Sequence, residues 1–268
     1  MRILAGVAAL LCIGVVNAED AALNVKSSES ADGLTGEIQA LVDQPFAVVS
    51  AALSDPSRWC DILMLHLDTK NCRLSTDAQG TVLHVGVVSK YDQPASAAYR
   101  VAFGYHLVAD TASSLQMKLD ADVGPLGTSN YRINLEAAPA ADGKTSISMS
   151  YSYSYGLVAR IAMGVYLATF GRNKVGFTVV ATEPDGQPRY IGGMRGVVER
   201  NTMRYYLAVE AYLGALSVPQ AVRVETSLRN WYSGIERYPR QLHEMEQAQY
   251  LDMKRKEYSA LLLARVGP

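Results

Sequence analysis

The chain is expected to adopt an α+β fold: a curved antiparallel sheet gripping a long C-terminal helix, with an additional helical tail. Three observations lead there. Segments between residues 82 and 155 alternate apolar and polar side chains with period two, which gives strands one greasy and one wet face. Residues 194–216 form a long apolar helical pattern, with Gly192-Gly193 before it and Pro219 after it. Beyond Pro219 the pattern stays helical, interrupted at Pro239.

The elements follow in order. Arg2 gives a positive start, Ile3 to Val16 is an apolar run too short to span a bilayer comfortably, and Val16-Asn17-Ala18 presents small residues before polar Glu19-Asp20. Residues 1–18 therefore read as a signal peptide, and the working protein as periplasmic or secreted. Cys12 leaves a lipoprotein alternative, against which Leu10-Leu11 stand where small residues are expected. Residues 19–33 read as a loose leader. From Leu34 a strand-like stretch runs into Pro45, which opens the apolar helical run Phe46 to Leu53. Asp55 can cap a second helix and Pro56 suits its first turn; Trp59, Ile62, Leu63 and His66 share one face.

The sheet comes next. Leu83, Val85 and Val87 alternate with polar or small neighbours, as do Tyr99, Val101, Phe103, Tyr105 and Leu107. Leu115, Met117 and Leu119 form a third such set, Tyr131, Ile133 and Leu135 a fourth, and Ile147 to Tyr155 a fifth, interleaved with serines. Turn residues such as Asp142-Gly143 join successive strands, which describes a meander. Leu157 to Phe170 reads as a short helix, Val175 to Ala181 and Arg189 to Ile191 as strands around the Pro184-Asp185-Gly186 turn, and Met194 to Leu216 as the long helix. Acidic and basic residues are nearly balanced in 217–268, which fits a solvated helical extension; dimer contact or packing across the sheet are the other uses considered.

The stretch from Pro45 to Trp59, with its helix, Asp55-Pro56 and Trp59, resembles the START-like (SRPBCC, helix-grip) superfamily, and the resemblance continues through the alternating strands and the helix 194–216. It covers residues 34–216; the helix 157–170 and the tail depart from it. The resemblance implies binding of lipids, sterols, polyketides or other apolar molecules, with some cyclases and hydrolases, and transfers no catalytic motif.

The lining is argued from the residues themselves. There are sixteen tyrosines and four phenylalanines, and a sealed core prefers Phe because each buried phenol needs a partner. The expected ligand-binding residues are Tyr99, Phe103, Tyr105, Met117, Tyr131, Met149, Tyr151, Tyr153 and Tyr155 on the strands, with Tyr206 on the long helix. The alternative is a filled core in which tyrosine hydroxyls reach the sheet's edge. The expected function is non-catalytic binding or carriage of an apolar small molecule, a lipid foremost.

Other classes are narrowed by what the chain carries. The net charge is −1 with no block of like charge, which argues against nucleic acid. After the signal no transmembrane segment is expected; Leu157 to Phe170 is too short and contains Arg160. Cys60 and Cys72 form an even pair that suits a disulfide in an oxidising compartment, with two buried thiols as the alternative. No metal or cofactor is expected: His66, His84, His106 and His243 lack metal spacing and read as structural or exposed. Gly192 to Gly196 lacks the Walker Lys-Ser/Thr and reads as a turn. Arg100 and Arg132 read as cross-strand partners of acidic residues, and Asp120 with Asp122 as solvated. Two alternatives stay open. A small hydrolase or cyclase needs a buried titratable group, with His84, His106 and Asp120 as candidates; a protein-interaction module would act through residues 220–268.

Overall fold

The computed structural model describes residues 23–169 and 171–266. The expected signal peptide, with Cys12, lies outside the described residues. Eight strands form one antiparallel sheet: β1 (Asn24–Glu29), β2 (Gly33–Val42), β3 (Thr69–Asp77), β4 (Gly80–Val87), β5 (Tyr99–Asp110), β6 (Leu115–Val123), β7 (Thr128–Pro139) and β8 (Thr145–Tyr155). Their spatial order is β1-β2-β8-β7-β6-β5-β4-β3. The meander β3 to β8 is thus closed by β2, which pairs with β8 from Gly33 against Ser154 to Val42 against Thr145. Two small helices, α1 (Phe46–Leu53) and α2 (Pro56–Leu63), link β2 to β3. After β8 come α3 (Leu157–Ala168), a separate hairpin of β9 (Val179–Thr182) and β10 (Pro188–Tyr190), and the long α4 (Gly193–Gly214). The tail holds α5 (Gln220–Glu236), α6 (Pro239–Leu242) and α7 (Gln247–Val266).

Period two works as expected on β8: Ile147, Met149, Tyr151, Tyr153 and Tyr155 are buried and the serines between them lie outward. The same face continues through Leu135 and Ile133 of β7, Met117 and Leu119 of β6 and Phe103 of β5, and α4 covers it with Val198, Met203 and Leu207 in one continuous core. The grip is close: α4 packs on β2 at Gly36, where a Cβ would collide with Thr202 Oγ1 and stand 3.1 Å from the Val198 carbonyl oxygen.

Three expectations need correction. Residues 24–29, expected in the loose leader, form the edge strand β1, paired with β2 from Asn24 against Gln39 to Glu29 against Leu34. Its polar side chains gave no alternation to read, but Ser27 Oγ donates to Glu199 Oε1 at 2.6 Å and Arg195 donates to the Ser27 carbonyl, so tertiary contacts hold it. The tail is not a merely solvated extension. α5 packs on α4 and α7 on β3, with Leu228, Trp231 and Tyr250 in the core; Trp231 Nε1 donates to the Arg204 carbonyl at 3.2 Å. Leu107, expected in the apolar set of β5, is 44% exposed, next to a bulge between Leu107 and Ala109.

No helix among the described residues is long and apolar enough to cross a membrane. Cys60 and Cys72 form a disulfide joining α2 to β3.

Candidate ligand-binding cavity

The site starts from the turn between α2 and β3. Asp55 caps α2 by accepting from the Ser57 N–H at 2.9 Å, and Trp59 anchors it by donating Nε1 to the Leu53 carbonyl at 2.9 Å. After Leu63 the chain turns tightly, His66 N donating to the Leu63 carbonyl, and enters β3. This turn carries His66 and Asp68. Two groups from α7 hold it: Tyr250 Oη donates to the Leu65 carbonyl at 2.9 Å, and Lys254 Nζ to the Thr69 carbonyl at 2.8 Å. The disulfide ties the same segment from the side.

Between this turn, the sheet and α4 lies a cavity of about 160 Å³. Its apolar walls include Leu63, Val85, Val101, Phe103 and Ile133, and its polar groups include His66, Asp68, Asn201, Tyr131, Tyr151 and Tyr205. The aromatic rings touch in series. Phe103 meets Tyr131 edge-on at 6.3 Å, Tyr131 stacks on Tyr153 at 5.4 Å, Tyr151 lies 5.2 Å from Tyr205, and Tyr205 stacks on His66 at 4.9 Å. The close seat of Tyr131 depends on Gly124, where a Cβ would collide with its ring.

Hydrogen bonds decide the state of His66. Its Nδ1 accepts the Asp68 backbone N–H at 3.2 Å, so in the neutral ring the proton sits on Nε2. The residue is 4% exposed, and Nε2 has no hydrogen-bond partner among the described residues. Burial, with the nearby Arg204 and Lys254 charges, holds its pKa well below the ordinary value, so the imidazole is neutral. Crowding by protein atoms raises the Asp68 carboxyl, although 39% of that side chain stays accessible and cations nearby oppose the rise. Burial raises the Tyr151 and Tyr205 phenols above their ordinary range, which keeps both hydroxyls protonated. The cavity therefore combines aromatic faces with a neutral imidazole and two protonated phenols, beside the partly accessible Asp68 carboxyl.

The residues expected from sequence distribute unevenly. Phe103, Tyr131 and Tyr151 line the cavity, and Tyr153 backs Tyr131. Tyr155 lies at the β1 side, where its hydroxyl donates to Glu29 at 3.1 Å. Tyr105 turns toward the α1–α2 corner and donates to the Ser54 carbonyl at 2.7 Å, its phenol pushed up to about 12 by burial, with Asp55 and Asp110 adding to the rise. Met117 and Met149 are packed in the core. Tyr99 is 41% exposed at the start of β5. Tyr206 does not line the cavity; it bonds Glu210 at 3.4 Å, and its neighbour Tyr205 takes the inward position. One residue along a helix turns about 100°, enough to exchange the two faces.

The catalytic candidates lie away from the cavity, on the faces of their strands that the alternation gave them. His106 lies on the outer face of the sheet, 55% exposed, with Nε2 at 2.6 Å from Asp120. His84 is exposed and bonds Ser75 at 2.9 Å. Arg132 takes the expected cross-strand role toward Asp120 and Asp122 at 3.8 and 3.5 Å. Sequence reasoning placed His66 on the apolar face of α2 without giving it a role, and missed Asp68, Asn201 and Tyr205; the signal available was a histidine continuing an apolar helical face. A larger depression of about 250 Å³ lies among Ser28, Ser30, Thr35, Asn130, Ser152 and Ser154. Its polar lining gives an apolar ligand little transfer gain. No cluster of metal-ligating side chains occurs among the described residues.

No protein-family model and no curated protein match the chain. Among solved structures it is similar to Ara h 8.0201, at 15% identity and a TM-score of 0.38, over 68% of this chain and 99% of that one. It is similar to norcoclaurine synthase of Thalictrum flavum, a point mutant in complex with a transition state analogue, at 15% identity and 0.36, over 56% of this chain and 88% of that one. A START superfamily protein from Mycobacterium smegmatis aligns at 12% identity and 0.34, over 52% of this chain and 92% of that one. The likeness is distant and concerns the fold alone, a curved antiparallel sheet around a long C-terminal helix.

Proposed function

We propose that this protein binds a small, mostly apolar ring or short-chain molecule in the cavity between α4 and the sheet, acting as a carrier or sensor outside the reducing cytosol. The observation that carries the reading is the cavity itself, about 160 Å³, walled by Phe103, Tyr131, Tyr151 and Tyr205 and bordered by a histidine whose Nε2 lacks a partner. An apolar void of roughly 150 Å³ accepts a benzene-sized guest. A long acyl chain exceeds that volume, so the lipid expected from the sequence requires the aromatic wall to open. The Cys60–Cys72 bridge supports a periplasmic or secreted setting. Leu228, Trp231, Ile235, Leu242, Tyr250 and Leu251 of the tail are taken up by the chain's own core, which leaves a protein partner the outer face of the tail, where Val222, Val224 and Leu262 are exposed.

The test is calorimetric titration with apolar guests graded in size, beside native mass spectrometry of freshly purified protein. Guests near benzene in size are expected to bind and larger ones to weaken. Val101→Phe, which places a ring in the cavity, is expected to abolish binding while the fold persists. Equal binding by that variant, or no binding by any guest, refutes the reading.

A further inference from the structure

The surface carries an apolar feature that neither the core nor the cavity accounts for. α3 turns large aliphatic side chains outward: Leu157 is 73% exposed, Val158 69%, Ile161 59% and Val165 61%. At about 100° per residue these four share an arc of about 100° on the helix, and Ala159 on the other side is buried. A helix on the surface of a water-soluble domain ordinarily shows charged and polar residues on its outer face. Here Arg160 is the only charged residue of α3.

The packing of α3 fixes how the stripe is presented. Arg160 donates to the Ala31 carbonyl and its guanidinium lies over the Tyr155 ring at 5.4 Å, so the helix is held by a side that does not carry the stripe. The turn 125–127 between β6 and β7 packs against α3. This turn adds exposed Leu126, and Val123 at the end of β6 is exposed as well. Leu126 has φ 57°, a left-handed backbone that a leucine rarely adopts. Pro125 of the same turn lines the cavity, which puts the patch beside the cavity wall.

Size and charge decide what covers such a patch. Six aliphatic side chains expose on the order of 500 Å², short of the about 800 Å² that each partner of a stable dimer buries. A lipid surface sets no such minimum, since an interfacial helix needs an apolar face and cationic or polar flanks. Residues 143–182 contain no acidic side chain, and Arg160, Arg172 and Lys174 lie in that stretch. Asp122, beside Val123, faces Arg132 at 3.5 Å. Glu29 and Asp32 act on Tyr155, on the side to which Arg160 turns. With 12 residues α3 is about 18 Å long, too short to cross a hydrocarbon core of about 30 Å.

We propose that α3, with Val123 and Leu126 beside it, docks in the headgroup region of a phospholipid bilayer, with Leu157, Val158, Ile161 and Val165 reaching the acyl boundary. Docking brings the cavity wall near lipid but needs no guest in the cavity, so it is tested apart from the binding reading above.

The experiment is cosedimentation of protein exported to the periplasm of an expression host with vesicles of equal parts phosphatidylcholine and phosphatidylglycerol. Wild type is expected to bind. Ile161→Asp combined with Val165→Asp, both at exposed positions, should weaken binding about tenfold or more through lost apolar burial. Val108→Asp, at a comparably exposed valine of β5, should leave binding unchanged. The unfolding midpoint of each variant checks its fold; if the double variant does not fold, Leu157→Asp carries the comparison. No binding by wild type, equal binding by the α3 variant, or an equal loss in Val108→Asp overturns the proposal. A dimer in sedimentation velocity without lipid, lost in the α3 variant, assigns the patch to a second copy and overturns it too.

Discussion

Adding one methyl group at Gly36 should loosen the grip of α4 on the sheet. The new Cβ of Gly36→Ala collides with Thr202 Oγ1 and stands 3.2 Å from Thr202 Cβ and 3.1 Å from the Val198 carbonyl oxygen. Thr202 cannot swing away freely, since it is fully buried and its Oγ1 donates to that same carbonyl at 2.8 Å. Overpacking of this kind costs about 1–3 kcal/mol, which for a domain of this size lowers Tm by roughly 3–10 °C. Thr202→Ala removes the colliding oxygen and leaves two tight approaches, 3.1 Å to the Val198 carbonyl oxygen and 3.2 Å to the Cβ of residue 202. In the double variant the glycine substitution should therefore cost at most half as much, a coupling of about 1 kcal/mol or more. Urea unfolding of the four proteins in the cycle measures this, with equal m-values as the check that only the folded state has changed. Wild-type stability in Gly36→Ala, or strict additivity of the two changes, would refute the contact.

Two further outcomes follow from the site and its support. Because the folded state holds His66 well below its ordinary pKa, the unfolded chain binds a proton that the folded chain refuses at pH values below about 6.5. The stability from the neutral ring is complete above that pH and is lost as pH falls, by up to about 1.4 kcal/mol per unit. Denaturant titrations of wild type and His66→Phe should diverge in this sense, and parallel curves would count against a buried neutral imidazole. Replacing Cys60 and Cys72 by alanine opens a loop with a sequence separation of 12, which should cost about 3 kcal/mol on the chain-entropy model; unchanged unfolding midpoints would contradict it.

The sequence made some parts of the molecule readable and hid others for physical reasons. β8 was legible because serine alternates with large apolar side chains, and only a half-buried strand asks for that. The start of α2 was legible because Asp55-Pro56 satisfies the needs of a helix N-terminus. β1 and the outer half of β3 were not, since edge strands draw much of their stability from backbone pairing and leave their side chains polar. The choice between Tyr205 and Tyr206 was illegible for a different reason. α4 is buried nearly all round, between the sheet and α5, so its apolar residues mark no single face. The polar end of the cavity sits on a turn whose residues follow no period, and its order depends on α7, nearly two hundred residues away.

That dependence has a consequence for how the protein comes into being. Ribosomal synthesis delivers the sheet and α4 well before Gln247, yet the segment bearing His66 and Asp68 is braced by Tyr250 and Lys254. A nascent chain that does not yet include α7 therefore lacks the two side chains that brace this turn. Premature termination before residue 247 would remove both braces, together with the Tyr250 ring that stacks on Trp231 in the core.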